Sequence, residues 1–306
     1  MIYTDPDYSR KAKVWVVVAA HKKYPMPKDK MYIPLHVGAE GKKDENGMPL
    51  DLGFQTDNTG DNISSMNDQF CELTGLYWAW KNLKSDYLGL VHYRRHFKGL
   101  SKKSFRKKKA ANTDTEEYKD ANNAIDMDSF DRVLTYRELR PLLDKYKIFV
   151  PKKRHYYIET LQQHYAHNHR IIELETARDI IKEKYPEYMP AYDKAINRTW
   201  GYMFNMMIMR RDLMEEYLTW LFDILFELKT RLESEDGLSS FENRYPGRVS
   251  ERIFNVWLTY QMQEGKISEN DICEIPFMYM EKINILNKGI TFLKAKFIGK
   301  KPEKSF

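Results

Sequence analysis

The sequence predicts an α/β domain with a mainly parallel sheet flanked by helices. Three observations carry that prediction. Val14-Trp-Val-Val-Val-Ala-Ala20 is an unbroken, largely β-branched run, the pattern of a strand buried on both faces. Shorter apolar runs recur at 32–37, 88–91, 148–151 and 201–209, with stretches of helical spacing between them. Strands that alternate with helices favour parallel pairing with helices on both faces.

Taken in order, the first strand runs into the polar loop His21-Lys-Lys-Tyr-Pro-Met-Pro27. In open α/β sheets ligands bind beyond the carboxyl ends of strands, which is where this loop lies. Residues 38–60, rich in Gly, Asp and Asn, read as a loop able to order on ligand binding. A helix is expected from Ser64 or Ser65, with Ser65 and Asp68 as a capping box and Phe70, Leu73, Tyr77 and Trp80 as its packing face. Glu72, Gly75 and Ala79 form another stripe, whose small residues allow close approach of a neighbour. Tyr77 and Trp78 are expected to divide between core and cleft wall, and Trp80 to be core.

Residues 101–125 read as a solvated insertion, a Lys/Arg run followed by an acidic, Asn-rich run. Leu134 to Tyr146 reads as a helix and Ile148 to Pro151 as a strand. One long helix is expected from about Tyr157 to Lys184, stopping before Pro186. Gly201 to Met209 reads as a buried strand interrupted by Asn205. Helices follow over 212–233 and from Ser250 to Gln263. Residues 285–299 are apolar and basic by turns, which suits a C-terminal packing helix or a peripheral membrane anchor.

Bulk properties narrow the function. The 306 residues are 42% hydrophobic, enough for one large domain with a real core. The net charge of +6 is not laid out as a basic stripe interleaved with aromatics, so nucleic acid is not the expected partner. Cys71 and Cys273 are the two cysteines and show no metal-ligand spacing, as in a reduced, cytoplasmic protein. No signal-peptide hydrophobic region and no bilayer-length apolar run is present. Neither a G-x-G-x-x-G after the first strand, nor a P-loop, nor a G-x-S-x-G elbow occurs.

The most informative stretch is Tyr87-Leu-Gly-Leu-Val-His-Tyr-Arg-Arg-His-Phe97. A buried strand delivers His92, Tyr93, Arg94, Arg95 and His96 to its carboxyl end. Two guanidinium groups there suit a phosphate or diphosphate, because each offers a planar fork of donors. The alternative is that Arg94 and Arg95 form structural ion pairs under a loop.

Asp61-Asn-Ile-Ser64, Asn67, Glu72-Leu-Thr-Gly-Leu-Tyr-Trp-Ala-Trp-Lys-Asn82 and His92-Tyr-Arg-Arg95 together resemble a bacterial family of capsule and exopolysaccharide loci. That family was long filed as a domain of unknown function and is now grouped with glycosyltransferases. Val14 to Lys22, Pro151-Lys-Lys-Arg154, Tyr157-Ile-Glu-Thr160, His164-Tyr-Ala-His167, Phe204-Asn-Met206, Tyr217 to Phe222 and Ser250 to Trp257 extend the resemblance over nearly the whole chain. It leaves out residues 101–125 and the tail.

The resemblance implies a single Rossmann-like, type A glycosyltransferase domain. Residues 1–150 would form the nucleotide-sugar half, 151–285 a helical acceptor-side half and 286–306 a basic tail. It implies inverting transfer from a UDP-sugar, galactofuranose by kinship, to a cell-surface polysaccharide or lipid-linked oligosaccharide. A retaining or sugar-phosphate transferase, and a non-catalytic glycan- or nucleotide-binding subunit, are the other readings. The basic tail gives a possible route to the inner face of the plasma membrane.

Most type A transferases place Asp-x-Asp after this strand to hold a divalent cation. Here His92-Tyr93-Arg94-Arg95 stands instead, so the expectation is a metal-independent enzyme whose arginines grip the diphosphate. Asp57 and Asp61 are the candidate ligands if Mn or Mg is used after all. His21, Lys22, Asp61 and Asn62 join the basic motif on the donor side. Glu251, expected at a helix start, is the first candidate for general base, its alternative role being a dipole-complementing cap. Glu72 is the second, its alternative a buried salt bridge to Arg94 or Arg95. His164, His167, Asn205 and Arg252 are assigned to the acceptor; a zinc site at the histidines would need further ligands.

Overall fold

The structure, a computed structural model, describes residues 12–100, 125, 127–232 and 238–281. The insertion over 101–124 and the basic tail lie outside the described residues.

One sheet organises the chain. Its parallel half is β1 (Val14–Ala20), β2 (Tyr32–His36), β3 (Gln55–Thr56) and β4 (Tyr87–His92), in the spatial order β4-β1-β2-β3. A short strand, β5 (Arg95–Phe97), turns back on β4. The other half of the sheet holds β6 (Ile148–Pro151), while β7 (Arg154–His155) and β8 (Trp200–Gly201) form a separate two-stranded ribbon. Next comes β9 (Met207–Arg210), inserted antiparallel between β4 and β6. At the far edge β10 (Ile272–Ile275) runs parallel to β6, and β11 (Phe277–Tyr279) pairs antiparallel with β5.

Alternation along β1 explains its apolar run. Trp15, Val17 and Ala19 enter one core, and Val14, Val16, Val18 and Ala20 the other, so each face of the sheet is covered. Gly89 lets β9 close on β4: a Cβ there would stand 2.7 Å from both the Ile208 side chain and the Met207 carbonyl oxygen.

Helices α1 (Asn67–Phe70), α2 (Leu73–Asn82) and α3 (Tyr136–Leu143) belong to the first half of the chain. In the second half stand α4 (Leu161–Asn168), α5 (Ile171–Lys184), α6 (Met189–Ile196), α7 (Arg211–Leu232) and α8 (Tyr245–Gln263). Gly75 seats α2 against β2, where a Cβ would meet Val37 at 2.8 Å and Leu35 at 3.0 Å, as its small-residue stripe predicts. Trp78 and Trp80 are both core. Tyr77 packs edge-on against Phe222, so these three aromatics build helix packing rather than a cleft wall.

Several expected elements are broken. The helix expected from Ser64 is a 3₁₀ turn, then α1, then a break at Cys71 (φ 52°) before α2. No Ser65 capping box forms; Ser64 Oγ instead donates to the buried Asp57. The expected long helix over 157–184 starts only at Leu161, capped by Thr160 with Gln163, and is interrupted at His169, whose backbone is extended. Gly201 to Met209 is not one strand, because Phe204 (φ 81°) and Asn205 (φ 52°) turn the chain between β8 and β9. No helix of the described residues is long and apolar enough to cross a membrane.

Candidate active site

The end of β4 builds the first half of the site. His92 pairs with Arg95, which leaves Tyr93 and Arg94 as a two-residue tip. Tyr93 N–H donates to Ala19 O at 3.1 Å, tying that tip to the end of β1. The buried Tyr93 ring then gathers the predicted donor-side residues. Its hydroxyl lies 3.5 Å from His21 Nε2, and Lys22 Nζ and Arg94 Cζ lie 5.7 and 5.3 Å from its centroid.

Neither arginine is locked in an ion pair among the described residues. The Arg94 guanidinium carbon stands 5.3 Å from the Tyr93 ring centroid. Arg95 packs on Phe204 at 4.1 Å and on Tyr279 at 5.0 Å, and its buried Nε has no hydrogen-bond partner among the described residues. Among the described residues, then, no structural ion pair holds either arginine of this tip.

The field here is positive. Burial, then the charges of Arg95 and Arg94, push His92 well below the usual histidine range. Burial likewise lowers His21 to about 4, with Arg94, Lys22 and Arg244 adding to the effect. Arg244 is a cation that the sequence reading missed. Arg244, Arg248 and Arg252 stand four apart across the start of α8, a spacing that puts them on one side of a helix. Arg244 Nε contacts Cys71 Sγ at 3.1 Å. Among the described residues the two-residue tip itself carries no carboxylate, and Glu281 accepts from Tyr24 O–H at 3.3 Å beside the Tyr93 ring. Among the described residues no three His, Cys, Asp or Glu side chains converge as a metal site.

Two carboxylates form the second half. Helix α8 starts at Tyr245 with Pro246 in its first turn, six residues before Glu251, so Glu251 lies in the second turn and not at the helix start. Its Oε1 accepts from Phe204 N–H at 3.1 Å and its Oε2 from Arg252 Nη1 at 3.0 Å. Glu72, the residue before α2, accepts from Asn205 Nδ2 at 2.7 Å and makes no salt bridge to Arg94 or Arg95. Burial raises its pKa, and the nearby Glu251 charge raises it further. Asn205 ties the two sides together: its amide also donates to Gly247 O at 3.0 Å and accepts from Ser250 Oγ at 2.8 Å. The left-handed turn at 204–205 thus presents a ring to Arg95, an N–H to Glu251 and an amide to Glu72.

The acceptor-side residues lie alongside. His164 Nδ1 and His167 Nδ1 stand 3.1 and 3.2 Å from the two oxygens of the buried Glu159. Burial, then the Arg252 charge, lowers His164 to about 4, which places it beside the Glu251–Arg252 pair. Arg252 is itself buried and reaches Met203 Sδ at 3.1 Å.

Asp61 and Asn62 are not brought to this group. Asp61 accepts from Tyr77 O–H at 3.2 Å, and its N–H and carbonyl bond the Asn82 side chain at the end of α2. That end leads into the start of β4, opposite the Arg94 tip. Asp57 is fully buried, receiving Gly38 N–H, Ala39 N–H and the hydroxyls of Ser64 and Thr74, so it organises the loop rather than offering a metal ligand.

A family described as Domain of unknown function (DUF4422) matches residues 15–263. No curated protein matches the chain. Among solved structures, one described as the apo structure of the WbbM bifunctional glycosyltransferase superposes with a TM-score of 0.71 at 29% identity. The match covers 89% of this chain and 46% of that one, so the chain spans under half the length of that protein. The α/β sheet with its flanking helices is the fold of that glycosyltransferase segment.

Proposed function

The chain belongs to the family described as Domain of unknown function (DUF4422), and from that premise we propose that it is a glycosyltransferase moving a sugar from a nucleotide-sugar donor to a glycan acceptor. The observation that carries this reading is a half-buried Arg94 guanidinium with no ion pair among the described residues, at the carboxyl end of β4, whose charge acts on His21 together with those of Lys22 and Arg244. Likeness to a glycosyltransferase over most of the chain supports the class.

In this reading the donor is a UDP-sugar, with galactofuranose the sugar that kinship suggests, and its diphosphate lies against Arg94 and Arg244, with Arg95 backing the tip. Their fixed positive charge takes the place of a metal ion, so none is required. The acceptor hydroxyl attacks the anomeric carbon from the opposite face. Its proton passes to a carboxylate, the new C–O bond forms, and the old one breaks with its electron pair leaving on UDP. Inversion at the anomeric carbon follows.

Both carboxylates fit the base position, and the geometry favours Glu72. Each Glu251 oxygen already accepts an N–H, one from a buried cation, whereas Glu72 has one side-chain donor, Asn205, and a raised pKa. A base works best with its pKa near the working pH. Glu251 then sets the local field and holds Arg252, with His164 and His167 on the acceptor side. The product is a capsule, exopolysaccharide or lipid-linked glycan made at the inner face of the membrane.

The direct test is calorimetry of UDP and UDP-sugars in EDTA, followed by product analysis by NMR. UDP binding with turnover to an inverted linkage is expected. Glycan or nucleotide binding without turnover would favour a non-catalytic subunit, and retained stereochemistry would remove the single-displacement mechanism.

A further inference from the structure

We propose that a cavity beside the β7–β8 ribbon and the edge strand β10 binds an acidic saccharide, with Arg198 gripping its carboxylate or phosphate. The cavity measures about 310 Å³ and is lined by Lys153, Arg198, Trp200, Tyr202, Glu269 and Glu274 among others. That volume is at the lower end of the range for small-ligand sites, about 300–1,000 Å³. None of these residues belongs to the Arg94 tip or to the Glu72–Glu251 pair.

Its charges are unevenly satisfied. Lys153 pairs with Glu274 at 3.2 Å, and Glu274 also accepts from Tyr202 O–H at 2.8 Å. Arg198 is half-buried with its guanidinium 4.8 Å from the Trp200 centroid, and it has no acidic partner among the described residues. Lys153 Nζ lies 4.5 Å from the same centroid, so two cations crowd one ring, and of the two only Lys153 is ion-paired among the described residues, to Glu274. Desolvation pulls the Arg198 pKa down, the mark of a charge that lacks compensation.

An incoming anion would supply it. A planar carboxylate or a phosphate matches the guanidinium fork in two parallel hydrogen bonds. Around that anchor the Tyr202 and Trp200 rings give an apolar wall for the CH face of a sugar. The exposed Glu269 carboxylate accepts hydrogen bonds from hydroxyls. The saccharide part of this inference rests on the transferase reading, since a glycan-handling protein meets such ligands; the anion part rests on Arg198.

Calorimetry on the full chain tests it with methyl glucuronide, neutral methyl glucoside and inorganic phosphate, and with UDP as a parallel probe. The glucuronide should bind at least tenfold more tightly than the glucoside. Arg198→Gln should erase that preference, and Trp200→Leu should weaken the glucuronide by a similar factor. The thermal midpoints and UDP affinities of both variants serve as folding controls. Equal affinity for the two glycosides, or a preference that survives Arg198→Gln, overturns the proposal. Phosphate binding as tight as the glucuronide overturns its saccharide part. Failure of UDP alone to bind would instead count against the transferase reading.

Discussion

Asn205 Nδ2 donates to Glu72 Oε1 at 2.7 Å, joining residues 133 apart in the chain. The same side chain bonds Gly247 and Ser250, so one amide holds the start of α2 against the start of α8. Asn205→Leu removes these bonds and places a branched side chain at φ 52°. The expected loss is about 2–4 kcal/mol, from buried groups left unpaired and from backbone strain. Asn205→Gly tolerates the turn and loses only the bonds, so it should unfold at higher urea than the leucine variant. Equal midpoints for the two would mean that the turn conformation contributes nothing.

The carboxylate pair makes a kinetic prediction. A base must be ionised, so kcat/KM should rise with pH through the raised Glu72 pKa, above the usual carboxylate range. Glu72→Gln should lower turnover by about 10²–10⁴ and remove that limb. Glu251→Gln should keep the limb but move it to lower pH, because the Glu251 charge is one cause of the rise. A limb that vanishes with Glu251 and persists without Glu72 would reverse the two roles.

Arg94 should act on the leaving diphosphate. Arg94→Ala is expected to cost about 3 kcal/mol of transition-state stabilisation, roughly a hundredfold in rate. Arg94→Lys should recover only part of this, since an ammonium group is a point charge without the fork. Turnover should be indifferent to EDTA. Activity abolished by EDTA and restored by manganese would show that a cation, not the arginine, carries the charge.

How much of this was legible depended on the range of the interactions. Periodicity fixes which faces are apolar, so β1, β4 and the stripe on α7 read directly from the chain. The tip at Tyr93–Arg94 was legible too, because a buried strand ending in cations is a local pattern. The breaks at Cys71, His169 and Phe204–Asn205 were not. The turn at Phe204–Asn205 is held by a partner distant in sequence, Glu251 receiving the Phe204 N–H across 47 residues. Asp61 misled for a similar reason, since its Asp-Asn-Ile-Ser context looks like a ligand loop until Asn82 claims it. Arg244 left a signal in the four-residue arginine spacing, but its direction depended on where α8 begins, at Tyr245 rather than Ser250.

His96 offers a test of stability independent of catalysis. It is fully buried between Tyr32 and Phe130, with ring centroids 5.9 and 6.2 Å away, and burial lowers its pKa from 6.5 to about 3. Between those values the unfolded chain binds a proton that the folded chain refuses, so stability falls as pH drops, by up to about 1.4 kcal/mol per pH unit. Above pH 6.5 both states are neutral and the effect is absent. Phenylalanine keeps the aromatic packing and has no proton to bind. His96→Phe should therefore match the parent near neutral pH within about 1 kcal/mol, and lose less stability at each acidic step. The slope will not vanish, because His21 and His164 are also held neutral down to about 4. Urea midpoints from pH 7 to pH 4 give the comparison. Parallel acid limbs in the two proteins would mean that the folded chain already accommodates a charged ring at position 96, which this enclosed box should not allow.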